Sequence, residues 1–295
     1  MTIKYTTMNN RLISILLAGV LVRVAWGGER APRTIVTTFY PMHIAVLNIT
    51  AGVEGVRVVN LAAPTAGCLH DYHLTTLDFA NLARADVVVA NGAGVESFLE
   101  TIARRWPKTP VISASAGLEL LNVSGQTNAH VWVSPTRHIR QVGTIAEGLA
   151  RWDPGHAEAY RRNASRYIRK LEDLKTRMSD AMKDGQRREI MTFHEAFAYF
   201  AEDFNLTVVA VIEREPSAEP SAGELAALMR KIRATGVKAI FVEPQYPAKS
   251  AEILARETGA KLYTLDPVVS GPLDPDAYLE IMARNGAELK RALAR

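Results

Sequence analysis

Three of the seven histidines in this 295-residue chain stand where its hydrophobic pattern would place chemistry. The stretch "GCLHDYHLTT", Gly67–Thr76, gathers His70, Asp71, Tyr72, His73 and the chain's single cysteine, Cys68, just after an apolar run that reads as a strand. His130 opens "HVWVSP" after an extended connection, and His194 ends "EIMTFH". Two acids hold similar positions: Glu243 ends "AIFVE" and Asp266 ends "KLYTLD". Three neutral imidazoles with a carboxylate are the donors of tetrahedral zinc, with bonds of about 2.0 to 2.2 Å. Calcium and magnesium want mainly oxygen and do not suit this set. One histidine at a strand end is ordinarily structural. Three at strand ends in two halves of the chain are what point to a metal. His73 is read as an exposed residue opening the next helix. Cys68 is read as a small buried hydrophobe rather than a thiolate ligand, and being alone it excludes an intramolecular disulfide framework.

The elements that must carry these residues are legible as a rhythm. From Thr34 onward, "TIVTTF", "VRVVNLA", "DVVVANG" and "PVISAS" alternate with helical stretches such as "LTTLDFANLARA" and "VESFLETIARRW". After Lys183 the rhythm restarts with "REIMTF", "LTVVAVI", "KAIFVEP" and "KLYTLD". Strands alternating with helices predict an α/β fold of two lobes, each with a mostly parallel sheet flanked by helices. Ligands of such sheets bind in the crevice beyond the carboxyl ends of the strands, where the three histidines and the two acids fall. Between the halves, Tyr160, Ala164, Tyr167, Leu171, Leu174, Met178 and Met182 recur at spacings of three and four, one face of a long helix. Asp153 is expected as its N-cap and Pro154 in its first turn. With no Gly or Pro from Ala157 to Asp184, this helix is expected to join the lobes as a rigid strut.

The N-terminus carries Lys4 and Arg11, then the apolar run "LISILLAGVLV", then small residues at Ala25 and Gly27, the layout of a secretory signal. Eleven apolar residues of helix cover only about 16 Å, roughly half a bilayer's hydrocarbon core, so export is expected rather than a membrane span. No cysteine follows the run as a lipid-attachment site, so a free periplasmic protein is favoured over a lipoprotein. Lys4, Arg11 and Arg23 precede the expected cleavage point and no acid does, which lowers the formal charge from +4 to +1. The basic balance therefore gives no reason to expect nucleic acid. The organisation expected is a signal peptide over 1–27, an N-terminal lobe over 33–152, a linking helix over 153–184 and a C-terminal lobe over 185–295.

The segments "CLHDYHLTTLDFANLARADVVVANGAGVESFLE", "HVWVSP", "MTFHEAFAYFAEDFNL", "FVEPQY" and "LYTLDP" resemble, in order and separation, the zinc and manganese receptors of ABC importers, also called cluster A-I solute-binding proteins. The resemblance covers nearly all of the expected mature chain. It implies two lobes joined by one long helix with the metal held between them. Carried over motif by motif, it implies that His70, His130, His194 and Asp266 are the ligands. Glu243 is then read as supporting a ligand or accepting a hydrogen bond between the lobes, and Asp71 and Tyr72 as supporting the His70 turn. The chain departs from the pattern at Leu69, where proline is usual, and lacks the histidine-rich loop that many zinc members carry before His130. Relatives resembling manganese receptors have glutamate at the position of His194, and imidazole there favours a borderline-soft ion, so zinc is expected as the transported ligand.

The implied partners are a membrane permease and its cytoplasmic ATPase, with a metallochaperone as a further candidate. A monomer is expected. No phosphate-binding GxxxxGK[ST] loop occurs in the chain, so ATP hydrolysis is left to the partners. The alternatives are a manganese or iron receptor of the same architecture and, from another class, a zinc hydrolase. "HEAFA" has Ala198 where the H-E-x-x-H motif needs its second histidine, which argues against the hydrolase, and no enzymatic activity is expected.

Overall fold

A computed structural model of the chain describes residues 1–2, 31–65, 67–69, 72–123, 125–185, 187–213 and 219–294. The expected signal peptide, His70 and Asp71 therefore lie outside the described residues. Residues 32–295 form one compact unit, and among the described residues no helix is long and apolar enough to cross a membrane.

The chain enters through β1 (Arg33–Thr37), α1 (Tyr40–Ile49), β2 (Val56–Asn60), α2 (Thr76–Leu82), β3 (Val87–Ala90), α3 (Leu99–Arg105) and β4 (Val111–Ser113). Its four strands form one parallel sheet in the order β2-β1-β3-β4. Strand β3, "VVVA", is buried along its whole length, as expected for a central parallel strand covered on both faces. A short antiparallel hairpin, β5 (Asn122–Val123) with β6 (Gln126–Thr127), follows in a stretch expected only as a loop. Then come a single 3-10 turn over Val131–Val133 and α4 (Pro135–Trp152).

The second half holds α5 (Ala157–Met182), β7 (Glu189–Thr192), α6 (Ala198–Asp203), β8 (Thr207–Val211), α7 (Ala222–Thr235), β9 (Ala239–Val242), α8 (Lys249–Thr258), β10 (Lys261–Thr264) and α9 (Ala277–Leu293). Its sheet is also parallel, in the order β10-β9-β7-β8. All eight expected strands are present, and each half repeats the same plan of a four-stranded parallel sheet between helices.

Helix α5 spans 26 residues, about 39 Å at 1.5 Å per residue. The seven residues at helical spacing are the seven it buries, Tyr160 through Met182, and this face packs against α1, α4 and α9. Asp153 does not cap it as expected. A 3-10 turn over Pro154–His156 intervenes, and no helix N–H reaches the Asp153 side chain. Its carboxylate instead accepts from His156 Nδ1 at 2.7 Å and Tyr160 Oη at 3.0 Å, and pairs with Arg33 at 2.6 Å. The extra turn sets the carboxylate too far from the first free amides, so it satisfies side chains instead.

Candidate metal centre

Each described candidate residue lies in a loop or beside the end of a strand or turn. Cys68 lies in the loop between β2 and α2. That loop is closed by Tyr72, whose N–H donates to Leu69 O at 3.0 Å and whose hydroxyl donates to Asp78 at 2.8 Å. Asp78 is held in turn by the capping box it forms with Thr75 at the start of α2. His73 is exposed, as expected. His130 immediately precedes the Val131–Val133 turn, and His194 follows β7 and immediately precedes another 3-10 turn over Glu195–Phe197.

Folding brings His130 and His194 together from distant parts of the sequence. Their Nε2 atoms lie 3.1 Å apart and both residues are buried. Each ring is oriented through its other nitrogen. His130 Nδ1 is 3.1 Å from Asn128 Oδ1, and His194 Nδ1 is 3.1 and 3.2 Å from the two carboxylate oxygens of buried Glu243. An acceptor at each Nδ1 favours the tautomer that carries its proton there and keeps a lone pair on Nε2, and such partners both aim a metal-binding imidazole and raise its basicity. Two Nε2 lone pairs converging at 3.1 Å suit a shared cation. The residues present thus fit a metal ion by the chemistry of their donors. Glu243 takes the orienting role expected of it.

Cys68 joins the same group. Its Sγ is 3.4 Å from His130 Nε2, and the ligand atoms of Cys68, His130 and His194 all lie within 4.8 Å of one another. The reading of Cys68 as a buried hydrophobe is therefore incomplete. One side of it packs on the core, and its sulfur lies within reach of both imidazoles.

Asp266 follows β10 and is firmly placed. Its Oδ1 accepts from Val268 N at 2.8 Å and from Gln245 Nε2 at 3.0 Å, while its backbone exchanges two hydrogen bonds with Asn285 of α9. Burial pushes its carboxyl above the usual range, against the pull of those two donors. It is not one of the three residues whose ligand atoms converge within 4.8 Å among the described residues.

Asn128 is the supporting residue that sequence reasoning missed. Its Oδ1 accepts the His130 backbone N–H at 2.9 Å as well as facing the ring, and its Nδ2 donates to Glu195 O at 2.8 Å, next to His194. Tyr199 extends the seam by donating to Asn128 O at 2.7 Å and accepting from Leu121 N. The only sequence trace of this is an asparagine two residues before a histidine, which is too common a spacing to single out. Trp132 forms a second seam: its indole N–H donates to Pro267 O at 2.7 Å, and its carbonyl accepts from Tyr278 Oη at 2.8 Å.

A family model described as the zinc-uptake complex component A, periplasmic (ZnuA), matches residues 35–292. The chain belongs to this family. Among ZnuA relatives it is 31% identical over 280 residues to the high-affinity zinc uptake system protein ZnuA of Bacillus subtilis, covering 88% of this chain and 87% of that one. Its fold is similar to that of FpvC from Pseudomonas aeruginosa, solved in complex with Mn2+, with a TM-score of 0.79 and 34% identity over 89% of this chain and 98% of that one. It is similar as well to a zinc-bound ZnuA deletion mutant, with a TM-score of 0.77 and 30% identity over 90% of this chain and 99% of that one. Streptococcal zinc-binding AdcA proteins are longer, and the chain spans 54% of the length of those of Streptococcus pyogenes and 60% of those of Streptococcus pneumoniae. The chain shares the two-lobed α/β architecture of its ZnuA neighbours, and several of its relatives and neighbours are zinc-binding proteins.

Proposed function

We propose that this chain is an exported zinc receptor that hands its ion to the membrane permease of an ABC importer. The observation that carries the reading is the pair of imidazole Nε2 atoms 3.1 Å apart, each ring aimed by an acceptor on its Nδ1. The proposed ligands are His70, His130, His194 and Asp266, with the ion held between the N-terminal lobe (33–152) and the C-terminal lobe (185–295), joined over 153–184. Residues 1–27 are proposed as the signal that sends the chain to the periplasm. The ion is cargo, so the residues' work is to capture it, exclude water and let it go: nitrogen-rich donors bind borderline-soft zinc tightly, while exchange depends on the loops that carry them.

A manganese receptor is the second reading, and the likeness to FpvC, solved with Mn2+, is what favours it. Against it stands His194, an imidazole where an oxygen donor would better suit manganese. Copper would bind a bare nitrogen site at least as tightly by the Irving–Williams order, so selection in the cell depends on metal supply as well as on geometry. The test is metal quantification on protein purified anaerobically without added metal, followed by competitive titration of zinc against manganese. Manganese retained in preference to zinc would overturn the zinc reading, and turnover of a peptide or ester panel by the zinc form would overturn the receptor reading.

A further inference from the structure

We propose that Cys68 is itself a metal ligand, so that the ion is held by a thiolate together with His130 and His194 in a mixed sulfur and nitrogen set. This rests on the reading of the pocket as a zinc site.

Two of the three edges among these donors match those of a tetrahedron, and the third lies within 4.8 Å. With zinc bonds of about 2.05 Å to nitrogen and about 2.3 Å to sulfur, a tetrahedral ion separates two nitrogens by about 3.3 Å and a nitrogen from a sulfur by about 3.6 Å. The corresponding distances here are 3.1 Å between the two Nε2 atoms and 3.4 Å from Nε2 of His130 to Sγ of Cys68. Both fall within about 0.2 Å of the ideal edges. Three donors from three separate segments thus lie within 4.8 Å of one another, the two imidazoles with their Nδ1 partners in place.

The chemistry then changes in a definite direction. Binding converts Cys–SH and Zn2+ into a zinc thiolate and releases one proton to solvent. The negative sulfur stabilises zinc, and still more the softer cadmium, and does little for manganese, which prefers oxygen. Cys68 is thus a specificity-determining ligand as well as an affinity-determining one. With three positions of the tetrahedron filled by Cys68, His130 and His194, one position remains, so one of the four ligands proposed above gives way to Cys68.

The experiment is cobalt substitution of the purified chain, read by optical absorption, beside zinc titration of wild type, Cys68→Ser and Cys68→Ala. In wild type the near-ultraviolet thiolate-to-cobalt charge-transfer band is expected, and X-ray absorption of the zinc form should show a sulfur neighbour at about 2.3 Å. Both variants should lose the band and keep the visible cobalt transitions. Their zinc affinity should fall by more than the roughly 10- to 100-fold that losing a supporting residue costs, and their preference for zinc over manganese should narrow. The wild-type spectra do not depend on how any variant folds. Bound cobalt and zinc with no charge-transfer band and no sulfur neighbour would overturn the ligand role of Cys68 while leaving the zinc receptor standing. Failure of wild type to bind either metal would overturn both.

Discussion

At the scale of single residues, the site separates donors from the groups that aim them. His194→Ala should weaken zinc binding by orders of magnitude in a competitive titration, because an incomplete tetrahedron must recruit water. Glu243→Gln keeps an acceptor near His194 Nδ1 but removes the charge, and a supporting change of this kind costs roughly 10- to 100-fold in affinity. Asn128→Ala should fall in the same range. A Glu243→Gln protein with unchanged affinity would show that the carboxylate only fills space. Histidines at strand ends announce themselves because few other residues do the same chemistry. Asn128 and Cys68 did not, since an asparagine makes turns everywhere and a lone cysteine is ordinarily apolar filler. Their roles come from where the loops after β2 and β6 fold back, which no local pattern encodes.

Among the elements, α5 carries the clearest testable load. Leu171 is fully buried on its packed face, and Leu171→Ala should cost about 2 to 5 kcal/mol. That lowers the melting temperature by roughly 4 to 20 °C at about 2 to 4 °C per kcal/mol for a chain of this size. A shift below 2 °C would mean that the face is not tightly packed. Because the helix is continuous and wedged against α1, α4 and α9, the mature chain should also change little in overall dimension on binding zinc, and a change of several ångström in radius of gyration by small-angle scattering would contradict a rigid strut. The strands and α5 were legible because each is a run of apolar residues with a period of its own. The hairpin β5–β6 and the 3-10 turn before α5 were not, since two- and three-residue elements have no period to read. Helix α4 is not among the elements expected from the sequence, although Ser134 accepts from Arg137 N at its start.

For the molecule as a whole, stability should depend on metal and on pH by separable routes. A ligand that binds only the folded state stabilises it by about 4 kcal/mol at a thousandfold excess over Kd, which is roughly 8 to 16 °C in melting temperature. Equal melting temperatures in zinc and in chelator at pH 7 would overturn the receptor reading. In chelator, three buried groups away from the centre bear on the acid limb. Burial holds His43 and His138 down at about 4. An imidazole depressed in the folded state stabilises it fully above about pH 6.5 and ceases to as pH falls toward 4, since only the unfolded chain accepts the proton. Each withdraws about 1.5 kcal/mol between pH 6.5 and 5. Glu96 runs the other way. Burial pushes its carboxyl up to about 7 despite donors from Thr38, Asn91 and Gly92, so it favours the folded state below about pH 4.5 and loses that contribution as pH rises through 7. Glu96 offsets one histidine and leaves the other uncompensated. His138→Gln should therefore flatten the acid limb by about 1.5 kcal/mol relative to wild type, and parallel melting curves for the two proteins across this window would show that His138 does not titrate as burial dictates.

Trp132 has a consequence of another kind. Its ring is wholly buried, lies 5.3 Å from the His130 ring between centroids, and is tethered to the backbone just beyond Asp266. Indole emission responds to charge and polarity within a few ångström, and this indole touches the neighbourhoods of donors from both halves of the chain. Metal loading at the proposed site should therefore carry an intrinsic optical signal. Of the other indoles described, Trp106 packs near the Phe79 ring and Trp152 lies under the Arg33 guanidinium. Zinc should change the emission of wild type and leave that of Trp132→Phe nearly constant, giving a label-free meter of occupancy that can follow the ion from the receptor into a reconstituted transporter in real time.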